Sequence, residues 1–562
     1  MRKSIIGRLA LMSVALLLVA NISSAFAAPQ RNAGPLGPVQ VDGGRITGTP
    51  AWAWGVRVFR GIPYAAPPVG NLRWRPPQPV LPWQGVLAAD HFSPRCMQGG
   101  GGPVVQVGGL WDEPGTSEMS EDCLYLNLWT PASSPDARLP VMVWFHGGGF
   151  VSGEASEAVF DGAMLAKKGV IVVTVNYRLD IFGLFAHPEL TAESPHHSSG
   201  NYAFLDQLAA LAWVKNNIAQ FGGDPDNVTI FGQSGGSRSV AYLMASPLAR
   251  GLFQRAIAQS HTSFTRMPTL AEAEAVGVKF QQTLGAPNLA TLRNLSAEDL
   301  EASLEQMDPY PGEPSGVVDG WFLPEDLHTI FAAGKQNDVP LLTGGTNDER
   351  AAVGPLLSYP RDVWLHFVRA PRAATVADYQ ALAQQIFGDQ ADKYLKLYAA
   401  DSDAAIGKQL HDFGRDSVLA THWAWVEMQA RTGKSKEYLY LFSQAPPIPQ
   451  ASGVMPAVVG AVHGGDIIYA FNNLRLKDLP WTDADGKAAD LTSSYWVNFA
   501  KTGDPNGPGL PQWSPYDPKS EQLMNLAGDA HMEQMPDKAG VEFLADFQER
   551  LRQAGRAQHA GN

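Results

Sequence analysis

A serine hydroxyl becomes a nucleophile when its oxygen is exposed, a base takes its proton and donors receive the negative charge that forms. Residues 227–237 (NVTIFGQSGGS) have the pattern for the first requirement. Ser234 stands between Gly232 and Gly236 in G-x-S-x-G spacing, directly after the β-branched and aromatic residues Val228, Ile230 and Phe231. A serine on a sharp strand-to-helix turn has a strained backbone. Glycine neighbours remove the clashes there and leave the hydroxyl above the sheet. The helix that follows aims its first N–H groups at the same spot. Earlier in the chain, His146-Gly-Gly-Gly149 follows the apolar run 139–145. Successive glycines let the backbone pass close to a ligand with N–H groups outward, the form of an oxyanion hole. A serine also needs a base, and the base an orienting acid. Asp348 and Glu349 come just after the apolar run 341–344. His463, in 460–465 (GAVHGG), is the one of 13 histidines set among glycines. His196-His197 has no further ligands at metal spacing, so no metal is expected there.

These residues need a scaffold that brings four distant loops to one rim. Strands are predicted at 139–145, 170–176, 228–231, 256–260, 339–344 and 437–442, and a helix over 202–221 with Leu205, Leu208, Leu211, Trp213 and Ile218 as an apolar stripe. Another helix follows the serine through 240–244. Alternating strand and helix gives the α/β class: a mostly parallel, twisted, doubly wound sheet with helices on both faces. Residues 44–59 suggest an N-terminal hairpin, and the proline-rich stretch 59–74 an ordered loop crossing the surface. Helical, acidic excursions are expected around 267–320 and helical ones at 350–431, a loop at 453–470, a closing helix at 491–501, and a frayed polar tail after Gly540.

Composition narrows the partners. The chain has 562 residues, 45% hydrophobic and 17% charged, with a net charge of −13. That is globular, and too acidic for a nucleic-acid partner. Arg2, Lys3 and Arg8 precede an apolar run, Leu9 to Ala20, that is too short to span a bilayer, and Ala25-Phe-Ala27 has the small-x-small form of a cleavage site. Residues 1–27 thus read as a signal peptide cut before Ala28. The remainder, 28–562, reads as one exported domain, periplasmic or secreted, with no membrane anchor and expected to be a monomer. The two cysteines, Cys96 and Cys123, read as one disulfide in such a compartment.

The ordered motifs resemble those of the type-B carboxylesterases, the carboxylesterase/cholinesterase family of α/β-hydrolases, in their bacterial para-nitrobenzyl-esterase-like form. The likeness runs from about Gly44 to Pro518. It includes 59–64 (FRGIPY), 120–127 (SEDCLYLN), 146–149 (HGGG), 176–179 (NYRL), Gly200-Asn-Tyr202, Leu205-Asp-Gln207 and 221–225 (FGGDP). The serine turn, Val317-Val-Asp-Gly320, Asp348-Glu349, His463-Gly464 and 499–503 (FAKTG) complete it. The resemblance implies an α/β-hydrolase fold and a secreted serine carboxylesterase acting through an acyl-enzyme on a small-molecule ester, with no cofactor. It assigns Ser234 as nucleophile, His463 as base and Glu349 as acid, with Gly148, Gly149 and Gly235 as oxyanion donors. It also implies the Cys96–Cys123 bridge and structural roles for Asn176 and Asp206. Four positions depart from the family pattern. Gln233 replaces a glutamate, which removes a negative charge beside the serine and turns the reading away from choline esters. Gly235 replaces an alanine. Arg350 follows the acid, either as a surface partner of Asp348 or as a cation for an acidic substrate. His261 follows Ser260 and is read as packing. The alternatives are a hydrolase of a specialised ester, polyester, lactone or amide, or a non-catalytic binding module; the presence of Ser234, Glu349 and His463 argues against the last.

Overall fold

The structure, a computed structural model, describes residues 37–49, 55–99, 118–260, 264–305, 315–349, 375–447 and 460–560. The expected signal peptide, His261 and Arg350 lie outside the described residues. The strands in chain order are β1 (Val39–Val41), β2 (Gly44–Gly48), β3 (Arg57–Pro63), β4 (Val86–Ala89), β5 (Arg95–Cys96), β6 (Met119–Ser120), β7 (Tyr125–Thr130), β8 (Leu139–Phe145), β9 (Ile171–Val175), β10 (Gly223–Gln233), β11 (Arg255–Gln259), β12 (Leu341–Thr346), β13 (Glu437–Phe442), β14 (Gln522–Leu526) and β15 (His531–Gln534).

One 10-stranded sheet has the order β15-β14-β13-β12-β11-β10-β8-β9-β7-β3. From β14 to β9 every neighbouring pair is parallel, and antiparallel strands close both edges. In β8, Val141, Val143 and Phe145 enter one apolar cluster while Met142 and Trp144 enter another. Successive side chains point to opposite faces. A strand apolar at every position is therefore buried on both faces, as a parallel sheet between helix layers must be. Helices Tyr202–Asn217, Gly235–Ala245 and Asp403–Thr432 bury residues in the first cluster, and Asp483–Thr502 in the second. The sheet grows from β8 in both directions, to β9 on one side and β10 on the other. Such a switch leaves a crevice at the carboxyl ends of the strands.

Several expected elements differ. Residues 44–59 are a hairpin only in part: Thr49 forms an antiparallel bridge with Val58, its N–H donating to Val58 O at 2.9 Å, while β2 otherwise pairs with β1 and β4 and β3 with β7 in the large sheet. The stretch 59–74 is a loop that reaches the surface at 69–71 but is buried at both ends. It begins inside β3, and Trp74, only 1% exposed, donates its indole N–H to Ile181 O at 2.8 Å. The segment expected as a loop up to residue 470 ends in the helix Ile467–Ala470. The expected closing helix runs longer, Asp483–Thr502. The tail after Gly540 is not frayed: Lys538–Ala560 is a helix that buries Val541, Phe543, Leu544 and Phe547. Its polar residues dominate the composition, while its apolar ones share a single stripe.

Candidate active site

Ser234 lies where β10 ends and the helix Gly235–Ala245 begins, with φ 56° and ψ −120°. A non-glycine residue keeps such a conformation only when its surroundings impose it. Ser234 N–H donates to Gln259 O in β11 at 2.9 Å, and Ser234 O accepts from Arg238 N–H at 3.1 Å. The flanking glycines have no room for a side chain. A Cβ on Gly232 would lie 2.5 Å from Gly236 O, and one on Gly236 would lie 2.0 Å from Phe145 O. Ser234 is half-buried in an otherwise buried run.

The glycine loop leaves β8 beside this turn because Phe145 in β8 is paired with Gly232 in β10. Gly148 and Gly149 have φ 95° and 62°, the left-handed region. Val151 N–H and Ser152 N–H both donate to Gly148 O, at 3.0 and 3.1 Å, which closes the loop. Among the described residues, no acceptor is found for the N–H groups of Gly148, Gly149 and Gly235. The loop lies close against the start of the helix: a Cβ on Gly235 would sit 3.1 Å from Gly149 N. His146 stacks on Tyr177 at 4.3 Å, and burial pushes its imidazole down to about 4. It is a neutral wall of the loop.

Glu349 and His463 are brought together by their loops. After β12, Asp348 forms a parallel bridge with Val462, and Asp348 N–H donates to Ala461 O at 2.8 Å. Asn347 Oδ1 accepts from Ala461 N–H at 2.7 Å, at a place where a Cβ on Gly460 would be 2.2 Å from that oxygen. With the two segments clasped, His463 Nδ1–H donates to Glu349 Oε2 at 2.6 Å. The other oxygen, Glu349 Oε1, accepts from Thr346 N–H at 3.0 Å and from Thr346 Oγ1–H at 2.8 Å. Both residues are buried, Glu349 at 1% exposure and His463 at 4%. Burial works against the charge of Glu349, but the charge and hydrogen bond of His463 and the bonds from Thr346 hold the carboxyl below its usual range. Burial likewise pulls His463 down, and the Glu349 carboxylate outweighs it and raises the imidazole. Asp348 is itself 1% exposed.

The structure thus places Glu349 and His463 in direct contact, and the serine turn next to the glycine loop. No hydrogen bond joins Ser234 Oγ to His463. His463 Nε2 instead faces Gln233 Nε2 at 3.1 Å. That contact is not readable in the sequence, which reports only a missing negative charge at position 233. Nor is the role of Asn347, although Gly460 ahead of the histidine is its trace. A further buried network flanks the site. Gln259 Nε2–H donates to Asp466 Oδ2 at 2.9 Å, Tyr440 O–H donates to the same oxygen at 3.2 Å, and Trp496 Nε1–H donates to Gln259 Oε1 at 3.1 Å.

The predicted disulfide joins Cys96 and Cys123. Two residues beyond Cys96, Gln98 Nε2–H donates to Gly153 O and Gln98 Oε1 accepts from Gly153 N–H, both at 3.0 Å. Asp206 accepts from Arg178 Nε and Nη2 at 2.8 and 2.7 Å, and Asn176 Oδ1 accepts from Ala155 N–H at 2.7 Å. His196 stacks on Trp321 at 3.8 Å. Among the described residues, no group of His, Cys, Asp and Glu is arranged to hold a metal, and no helix is long and apolar enough to cross a membrane.

A model of the carboxylesterase family matches residues 37–544. The fumonisin B1 esterase of Sphingopyxis macrogoltabida is 36% identical over 477 residues, 83% of this chain and 82% of that protein. Carboxylesterase 1D of Rattus norvegicus is 34% identical over 530 residues, 90% of this chain and 91% of that protein. A solved PNB esterase aligns with a TM-score of 0.72 and 32% identity, covering 90% of this chain and 99% of that one. Sheet order, paired loops and likeness over nearly the whole described chain agree: the chain belongs to the carboxylesterase family of α/β-hydrolases and is a carboxylic ester hydrolase.

Proposed function

We propose that this chain is an exported serine esterase that cleaves its substrate through an acyl-enzyme, with Ser234 as nucleophile, His463 as base and Glu349 as the acid that orients the base. The observation that carries the reading is the 2.6 Å bond from His463 Nδ1–H to Glu349 Oε2. A neutral imidazole whose Nδ1 proton is fixed in this way keeps its Nε2 lone pair for a proton. Ser234 Oγ attacks the ester carbonyl carbon as its proton passes to His463 Nε2. The carbonyl oxygen, now negative, is received by the N–H groups of Gly148, Gly149 and Gly235. Each such donor is worth about 10²–10³ in rate. The tetrahedral species collapses, the C–O bond to the alcohol breaks, and His463 returns the proton to the leaving oxygen. Water then attacks the acyl-serine by the same route, and the acid leaves.

Turnover of a p-nitrophenyl ester chain-length series by wild type and Ser234→Ala tests this. Wild type is expected to show turnover and an acyl-enzyme mass after rapid acid quench, and Ser234→Ala neither. An active Ser234→Ala protein would sink the assignment. Export rests on the basic, apolar and small-residue order of residues 1–27 and is supported by a disulfide outside that segment. The N-terminal sequence of the exported protein should begin at Ala28. The likeness to a fumonisin B1 esterase favours, as a second reading, a specialised natural ester over a broad one; a steep preference within a panel of esters would support it.

A further inference from the structure

We propose that Gln233 is a positioning residue for ester hydrolysis. Its carboxamide holds the Nε2 side of His463 in the free enzyme and turns over to accept from Nε2–H once Ser234 has given up its proton. This rests on His463 being the base.

Gln233 is the last residue of β10, so its backbone is fixed by the sheet and only its side chain can adjust. It is buried, and its Nε2 lies 3.1 Å from His463 Nε2. His463 Nδ1–H is committed to Glu349, so the Nε2 lone pair is the acceptor and the Gln233 N–H the donor. Gln233 Oε1 lies on the far side of the amide beside Gly147. A Cβ on Gly147 would be 3.1 Å from that oxygen and 3.3 Å from Ser234 Cβ. The bare glycine therefore leaves the amide space next to the nucleophile.

A carboxamide carries a donor and an acceptor at equal reach, and a half-turn exchanges them. When the proton of Ser234 Oγ–H moves to His463 Nε2, the ring changes from acceptor to donor at that nitrogen. A turned Gln233 then offers Oε1. No proton passes to or from Gln233. A carboxylate at this position could accept only, and would favour the imidazolium before any substrate arrived. Gln233 thus keeps the base neutral in the resting enzyme. The groups around His463 make this necessary. Glu349 is bonded to Nδ1, and Asp466 stands three residues along the same loop, held by Gln259 and Tyr440. Both carboxyl groups raise the imidazole. His422, on the helix Asp403–Thr432, is bonded to Thr343, and burial pushes it down to about 4, so it adds no positive charge against them.

The test is the pH profile of kcat/KM between pH 4 and 9 on p-nitrophenyl butyrate for wild type and the near-isosteric Gln233→Glu. It is joined to 15N spectra of histidine-labelled wild type and Gln233→Met, with melting temperatures taken for all. The acid limb of Gln233→Glu should move up by about one pH unit or more, a tenfold loss of activity on the acid side. The Nε2 resonance of His463 should move in Gln233→Met, while the Nδ1 proton stays on Glu349. A Gln233→Glu limb that superimposes on wild type overturns the proposal, as does an Nε2 resonance that does not respond to Gln233→Met. Failure of the underlying reading looks different: wild type would then show no acid limb, or Ser234→Ala would retain turnover.

Discussion

Glu349 and Asp348 are adjacent carboxylates, and their surroundings divide their work. Glu349 accepts from His463 and Thr346, whereas Asp348 uses its backbone to clasp the histidine loop. The family resemblance selects Glu349, and Glu349 is the carboxylate that contacts His463, as the proposed role requires. Replacing Glu349 by Gln should lower kcat by about 10²–10⁴ and move the acid limb of kcat/KM to lower pH. The direction follows from His463, which must be neutral to act and which the Glu349 carboxylate raises. Without that charge the imidazole loses its proton at lower pH, so the limb falls even as the rate falls. Asp348→Asn should shift neither kcat nor the limb to that extent. Stopped-flow or steady-state pH profiles decide this, and a larger kcat loss in Asp348→Asn would reassign the acid. Position 235 carries a physical point of its own. An alanine there would put its Cβ 3.1 Å from Gly149 N, so the glycine loop would have to shift by a few tenths of an ångström to admit it.

Among the elements, strands β8 to β13 and the helices beside them were legible because each is a local signal: a run apolar at every position, or a stripe at helical spacing. Edge elements were not. β14 and β15 are short, and half of their character comes from pairing with neighbours rather than from their own residues. The C-terminal helix was hidden by its polar composition, though Phe543 and Phe547 pack in tilted contact with Phe387 at centroid distances of 5.6 and 4.8 Å. The clasp between the loops after β12 and β13 was invisible for another reason. It joins Asn347 to Ala461, 114 residues apart, and has no periodicity to betray it. Asn347→Ala leaves the Ala461 N–H without its partner. The expected cost is about 1–3 kcal/mol of stability and a fall in kcat, because His463 sits two residues beyond the lost anchor. Urea unfolding together with kcat measures both. Unchanged values in Asn347→Ala would mean that the backbone bridge from Asp348 is sufficient.

At the scale of the whole molecule, the candidate site lies beyond the carboxyl ends of the central strands, with the covalent bond nearby. Cys96 and Cys123 close a ring that carries, two residues on, the Gln98 clamp on Gly153. Gly153 in turn lies against His146, with a Cβ there only 2.4 Å from the ring nitrogen Nδ1. The bond therefore braces the turn that Gly148 and Gly149 belong to. Replacing both cysteines by serine should cost about 2–5 kcal/mol of stability and lower kcat at temperatures where the protein is still folded. Circular dichroism and turnover on the same samples separate the two effects. A variant that melts earlier yet turns over at the wild-type rate would confine the bond to stability. The Gln98 clamp has a cellular meaning as well. With the site roles proposed above, a newly made chain still inside a reducing compartment would hold its Ser234 turn but lack a braced Gly148–Gly149 loop. Under the export proposed above, the enzyme would thus become fully competent only after it had left that compartment.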